Sequence, residues 1–171
     1  MDNIRKVLDD HRMWLAGLGG ECADLSGTDL SNTNLSDTDL SGADLSNTNL
    51  SNTNLSDTDL RGANLRGINL SHANLRGAHL SHANLIGADL SGADLSDAYL
   101  IGANLSNADL SGADLIGANL IDAKLSHADL YDAKLSHANL IDADLRGTDL
   151  RGTIIDHTTV GLTMACPERG I

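Results

Sequence analysis

The ten residues SNTNLSDTDL occupy positions 31–40 and recur unchanged at positions 51–60. Each copy has a leucine at every fifth residue, with Thr two places before it and Asp or Asn directly before it. Repetition at a fixed period is typical of solenoid folds, in which each repeat packs only against its neighbours. The fold therefore has to explain why one residue in five must be leucine.

This five-residue spacing extends over most of the chain. Leucine holds every fifth position from Leu25 to Leu150, and Ile155 and Val160 continue the frame with apolar residues. In that frame, residues 23–162 divide into twenty-eight five-residue units whose consensus is [AT]-[DN]-L-x-[GNDH]. We interpret these units as the structural repeat of one domain.

A period of five does not suit a straight strand or a helix. In a strand, successive leucines would face opposite sides, because side chains alternate. In a helix, five residues rotate by about 140°, so the leucines would not form a stripe. The residues after each leucine favour turns. The pattern thus predicts a short extended side with Ala and Leu inward and Asp outward, followed by a corner.

The number of sides in one coil is less clear from spacing. The twenty-residue recurrence of SNTNLSDTDL favours four sides, and so does the spacing of Ile101, Ile121 and Ile141. Segments ten residues apart, such as IDAKLSHADL and YDAKLSHANL, are also similar. Spacing alone leaves both possibilities open.

The segments ADLSGADLS, ANLSNADLS and ANLRGAHLS resemble the pentapeptide-repeat proteins, and the resemblance covers residues 23–162. It implies an all-β, right-handed, quadrilateral β-solenoid in which the central Leu and the small residue two places earlier point inward. A right-handed coil agrees with the usual hand of parallel β connections. Twenty-eight repeats would make about seven coils and a rod roughly 34 Å long.

The sequence on either side of the repeats divides the chain into three predicted segments. These are an N-terminal capping helix at 1–22, the solenoid at 23–162, and a C-terminal tail at 163–171. Glycines at 17, 19 and 20 can end the helix, and we expect it to lay Trp14 over the first coil. Its apolar residues follow helical spacing: Ile4, Val7, Leu8, His11, Trp14, Leu15 and Leu18.

The C-terminal end has only a short apolar tail. Some members of the family that the sequence resembles form dimers through this end. The resemblance therefore makes a homodimer through Val160, Leu162 and Met164 a hypothesis for this chain.

Composition limits the possible partners and location. The net charge of −13 argues against direct nucleic-acid binding, because phosphates would repel the protein. No segment has the length and hydropathy of a membrane span or the layout of a signal peptide, so we expect a cytoplasmic protein without membrane contact. Cys22 and Cys166 lie at opposite ends and suggest no disulfide framework.

The sequence offers no catalytic, cofactor or metal site. Outward Asp residues are numerous because the repeat places them there, so pairs of carboxylates arise by chance. His79 and His82 could bind a metal, but His also occupies corner positions at 72, 127 and 137, where it is an ordinary exposed residue. We therefore expect a protein that is not an enzyme and needs no cofactor.

Outward residues supply the candidate partner contacts. With four units per coil, three groups emerge. An apolar ladder contains Tyr99, Ile101, Ile121 and Ile141. An acidic column contains Asp89, Asp109, Asp129 and Asp149. A basic belt contains Arg61, Arg66 and Arg76 in a stretch, residues 60–88, that has no acidic residue.

These features favour a non-enzymatic solenoid that acts as a protein-interaction or structural module. The alternative comes from the resemblance, since some pentapeptide-repeat proteins protect bacterial type II topoisomerases from quinolones by mimicking DNA. Duplex DNA of roughly 34 Å carries about twenty charges, so −13 is of the same order, although the arginines interrupt the acidic surface. An ice-binding surface, based on the regular serine columns, is a third possibility.

Overall fold

A computed structural model describes the backbone of residues 2–162 and the side chains of residues 4–162. The chain begins with one α-helix, α1 (Asp2–Leu15). The rest of the described chain forms a stack of coils in which a single residue of each side pairs in parallel with the residue twenty positions later. This pairing runs from Asp24↔Asp44 to Lys134↔Ile154.

Twenty residues per coil correspond to four five-residue units, which resolves the ambiguity left by the ten-residue similarities. We number the sides by the first leucine that each contributes: side 1 by Leu25, side 2 by Leu30, side 3 by Leu35 and side 4 by Leu40. The number of about seven coils stays a prediction.

The corners explain the last position of the repeat. The second residue after every leucine from Leu25 to Leu150 has φ between 56° and 74°. The amide of the third residue donates to the leucine carbonyl, as Ala43 N does to Leu40 O at 3.1 Å. This is the pattern of a type II β-turn. Fourteen of these corner residues are Asn, Asp or His instead of Gly, because these residues tolerate positive φ better than other side chains do.

The Asp or Asn before each leucine has a role that the sequence pattern did not reveal. Its side-chain oxygen accepts a hydrogen bond from the backbone N–H two residues ahead, as Asp109 Oδ1 does from Ser111 N at 2.9 Å. This Asx bond fixes the start of the corner. Asp and Asn are therefore selected for local geometry as well as for facing solvent.

The interior consists of stacked alanine and leucine layers. Leucines from Leu40 to Leu140 are at most 1% exposed. Three inward threonines of the second coil are equally buried, and each donates its hydroxyl to a leucine carbonyl of the first coil. Thr48 bonds to Leu25 O at 2.8 Å, and Thr53 and Thr58 bond in the same way to the next two sides.

The repeat frame shifts by one residue in the last coil, so the expectation that Val160 continues the leucine positions is wrong. Val160 pairs with Asn139 and takes the outward position. The cause is a later turn, in which Thr159 N donates to Asp156 O at 3.1 Å. Ile155 does hold a leucine position, but it is 38% exposed.

Helix α1 lies on the open end of the first coil. Ile4, Val7 and Leu8 pack against the core, and His11 is fully buried. These four residues form one helical face. Leu15 and Leu18, which the sequence assigned to the same apolar face, remain exposed.

Trp14 does not cover the first coil as expected. Its side chain is 44% exposed at the rim of the coil and stacks on His11, with 5.5 Å between ring centroids. The cause is that the smaller residues of the helix already occupy the inward face, which leaves the indole beside the corner at Gly42.

His11 attaches the helix to the solenoid. Its Nδ1 accepts a hydrogen bond from the backbone N–H of Ala23 at 3.0 Å. The neutral ring therefore carries its proton on Nε2, which is buried and has no hydrogen-bond partner within the described chain. Burial lowers the pKa of His11 from 6.5, although the carboxylate of Asp39 opposes that shift.

Replacing Leu95 by Ala should lower the free energy of unfolding by about 2–5 kcal/mol, because the side chain is fully buried between the layers of Leu75 and Leu115. Leu95→Asp should be worse, since it buries an unpaired charge. Ser111→Ala, at an outward position, should change the value by less than about 0.5 kcal/mol. Urea unfolding would measure all three, and similar losses for Leu95→Ala and Ser111→Ala would contradict the inward assignment.

Docking of the cap should weaken as the pH falls below about 6.5, because His11 has a lowered pKa in the folded state and an ordinary one when undocked. The stabilisation is complete above the undocked pKa and is lost progressively below it. Fluorescence of Trp14, the only tryptophan, would follow undocking from neutral to mildly acidic pH. His11→Gln keeps an acceptor for Ala23 N but cannot titrate, so an unchanged pH response in this variant would rule out His11 as the cause.

Candidate functional site

The twenty-residue register arranges outward residues into columns along the rod. Each side presents the residue before its leucine, and each corner presents the two residues after it. From residue 24 to residue 149, the position before leucine is Asp or Asn except at four places: His79, Tyr99, Lys124 and Lys134. Positions that break a local rule without a structural need are candidates for function.

Two of these exceptions are neighbours on side 4. His79 pairs with Tyr99 through the backbone, and their rings lie 4.7 Å apart between centroids. Tyr99 is 45% exposed. The pair therefore places an aromatic surface where the repeat otherwise presents small polar side chains.

The three isoleucines of the apolar ladder lie at the corner that follows side 4, in one column. Gly102 N donates to Ile121 O at 2.9 Å, and Asp122 N donates to Ile141 O at 3.0 Å, which fixes their register. Ile141 is 43% exposed, whereas Ile101 and Ile121 are half-buried. The ladder is thus less exposed than the sequence predicted, because residues of adjacent coils cover one another.

The frame shift in the last coil extends this apolar surface. Val160 follows the column of Tyr99 and is 43% exposed, whereas Leu162 is half-buried and packs against the core. We call the resulting surface the side-4 strip; its members are Tyr99, Ile101, Ile121, Ile141 and Val160.

Of the predicted dimer end, Val160 belongs to the side-4 strip, Leu162 packs against the core, and Met164 lies outside the described residues. The inward leucines of the last coil, Leu145 and Leu150, are only partly buried, in contrast to those before them.

The acidic column lies on side 2, away from the side-4 strip. Asp89, Asp109, Asp129 and Asp149 pair successively through the backbone. Each carboxylate accepts the N–H of the residue two places ahead, at distances between 2.8 and 3.0 Å. These bonds hold four carboxylates in a regular row with a fixed orientation.

Arg151 modifies the end of this row. Its guanidinium lies 2.6 Å from the Asp149 carboxylate and holds the pKa of Asp149 at about 2, mainly through the side-chain hydrogen bond. Asp149 is therefore ionised at neutral pH, but its charge is locally balanced by the arginine.

The arginines of the basic belt do not form one surface. Arg61 lies at the corner after side 4, Arg66 at the corner after side 1 and Arg76 at the corner after side 3. Arg61 Nε donates to Asp59 at 2.9 Å, and Arg76 lies 3.5 Å from Asp97. A flat partner could not contact all three arginines at once.

Neither a cluster of metal ligands nor a membrane-spanning helix occurs in the part of the chain that the structure describes. Residues 2–162 contain no group of three or more His, Cys, Asp or Glu side chains that could hold a metal ion. Over the same span, no helix is long and apolar enough to cross a membrane.

The repeat sequence that forms this register also matches a protein-family model. The model of pentapeptide repeats fits residues 22–57, 53–92, 93–130 and 128–159, with eight copies. The chain belongs to the pentapeptide-repeat family. Its fold is accordingly a right-handed β-helix, and members of this family generally serve as structural or interaction modules.

Solved structures of other pentapeptide-repeat proteins are similar to this chain. A trypsin-treated variant of QnrB1, described as a plasmid-mediated fluoroquinolone resistance protein, is 26% identical with a TM-score of 0.57, covering 78% of this chain and 77% of that chain. HetL, described as involved in heterocyst differentiation regulation in the cyanobacterium Nostoc sp. strain PCC 7120, is 32% identical with a TM-score of 0.30, covering 84% and 90%. A comparison with curated protein sequences gives no match.

Proposed function

We propose that this pentapeptide-repeat protein is a binding module without catalytic activity, and that it recognises a protein through the side-4 strip. The observation that carries this proposal is that aromatic and apolar departures from the repeat adjoin one another on side 4 and at the corner that follows it. His79 and Tyr99 replace Asp or Asn there, and three isoleucines replace the usual Ser or Arg in the adjoining column.

The shape of the strip favours a protein partner. Stacked coils present a flat, straight surface, whereas small molecules bind preferentially in concave sites. Tyr99 and Ile141 expose apolar area beside polar columns, and aromatic residues with an apolar surround are typical of interface centres. Because the backbone register is fixed, the strip can bind without a cost for ordering its backbone.

A second copy of the chain is one candidate partner. Val160 carries the strip to the C-terminal end, so a homodimer through that end would use part of the same surface. Contact between two copies would then compete with any other partner of the strip.

Changing Ile101, Ile121 and Ile141 together to Ser should abolish or strongly weaken partner binding while the fold remains. Serine already occupies this position in other coils, and loss of cross-strand pairs should cost only about 0.2–1 kcal/mol each. Pull-down from native lysate with mass spectrometry would compare partners, and light scattering would report self-association.

The matched control is Ile86→Ser with Ile116→Ser, which changes the same repeat position on sides 1 and 3. Associations that survive in the triple variant, or that disappear equally in the control, would show that the strip is not the binding surface.

A second function is favoured by the acidic column on side 2 and by the similarity to QnrB1. We propose as this alternative that the protein regulates a type II topoisomerase, such as gyrase, by presenting its carboxylates in place of DNA phosphates. The support is the row of four carboxylates held by backbone N–H groups. Arg151 partly neutralises one end of this row.

If the acidic column mimics DNA, the purified protein should inhibit gyrase supercoiling or relieve its poisoning by a fluoroquinolone. Changing Asp89, Asp109, Asp129 and Asp149 to Asn should weaken the effect, since Asn retains the acceptor for the corner N–H but removes the charge. Supercoiling assays on plasmid DNA at low and moderate salt would measure this.

The control removes the same number of charges from equivalent positions on sides 1 and 3, through Asn at 24, 44, 94 and 114. Equal weakening by both sets would mean that net charge alone acts. Absence of any effect at high protein excess would reject this function for the enzyme tested.

A further inference from the structure

Helix α1 covers the first coil only in part and leaves a groove beside side 4. The groove has a volume of about 580 Å³ and is open to solvent on one side. We call it the cap groove; the helix contributes Leu8, Asp9, Arg12, Leu15 and Ala16, and the first coil contributes Asp37, Thr38 and Asp39. Its volume lies within the range of about 300–1,000 Å³ that is common for binding sites.

The helix wall of the cap groove exposes apolar side chains that are not needed to dock the helix on the first coil. The helix is already held by its inward face and by His11. Leu15 is nevertheless 37% exposed on the groove, and Trp14 is 44% exposed next to Gly42, just beyond Asp39 on the same side. Met13 and Leu18 add exposed apolar area at the same end of the helix.

The opposite wall, which the first coil forms, is acidic, and its carboxylates are not in ion pairs. On the helix, Asp9 is paired with Arg12 at 3.2 Å. Asp37 and Asp39 form no ion pair with any residue from 4 to 162, and Asp39 is held in place by the N–H of Ser41 at 3.0 Å. The guanidinium of Arg61, one coil away, forms an ion pair with Asp59. The groove thus joins an apolar wall to two carboxylates that are not in an ion pair, and its lining carries three carboxylates against one arginine.

We propose that the cap groove binds a basic amphipathic segment of a partner protein. An apolar side chain of the segment would enter between Leu8 and Leu15, and a neighbouring Lys or Arg would meet Asp37 and Asp39. Charge complementarity favours a cationic segment, and the open side of the groove admits a chain that continues beyond it. This site lies at the opposite end of the rod from the C-terminal part of the side-4 strip and does not depend on the function of that strip.

Trp14 provides the readout, since it is the only tryptophan and stands beside the groove. The probe is a synthetic amphipathic peptide of leucine and lysine, titrated into the full chain. We expect a saturable change in Trp14 emission that weakens as salt is added. A peptide with glutamate in place of lysine, and one with serine in place of leucine, should produce no saturable change.

The decisive variant is Asp37→Asn with Asp39→Asn, which keeps the corner geometry and the Ser41 bond while removing both charges. It should weaken peptide binding at least about threefold. Leu15→Ser should weaken it to a similar extent through the apolar wall. Asp94→Asn with Asp132→Asn removes one charge from a side and one from a corner elsewhere on the rod, and should change affinity less than about twofold. Circular dichroism and the thermal midpoint verify that each variant is folded.

Three results would overturn the proposal. One is equal weakening in the groove and control variants, which would indicate general attraction of a cationic peptide to an acidic protein. The second is binding of the glutamate peptide with similar affinity. The third is the absence of any saturable Trp14 response to the leucine–lysine peptide.

Discussion

The left-handed corner after each leucine is the conformation on which the rest of the structure depends. Only a residue that accepts positive φ can stand there, and every such position from 27 to 152 is Gly, Asn, Asp or His. Because the corners recur every five residues, four of them bring the chain back into register after twenty. The frame shift after Ile155 illustrates this dependence, because one extra residue moves Val160 from an inward to an outward position.

This register satisfies the backbone in a way that leaves the interior to apolar side chains. Amide groups on the sides and corners donate to carbonyl groups one coil away, and the Asx bond satisfies the N–H directly after most leucines. Buried threonines add hydroxyl bonds to leucine carbonyls in the first coils. With backbone groups paired in this way, alanine and leucine layers can stack in direct contact. A binding site must therefore use the outer surfaces or the ends of the rod.

On those surfaces, the informative residues are the ones that depart from the repeat. Tyr99 gives up the Asx bond that Asp or Asn would form, and Ile141 exposes apolar area where Ser would be solvated. The acidic column follows the repeat faithfully, so its carboxylates have a structural reason to be present. The side-4 strip is therefore the stronger basis for a binding function. The acidic column remains a candidate because of the similarity to QnrB1.

The sequence by itself determined the solenoid, the inward leucines and the capping helix, because each follows from a local rule repeated along the chain. It also placed the isoleucines in one column once twenty residues per coil was assumed. The twenty-residue recurrence already favoured four sides, and the backbone pairing of the coils settled that number. Tertiary structure alone decided that Trp14 lies at the rim and that Arg61, Arg66 and Arg76 lie at different corners. It also revealed the cap groove, whose Asp37 and Leu15 come from separate elements. Such features depend on how the helix docks and how the coil closes, and these are contacts between distant residues that a local repeat does not encode.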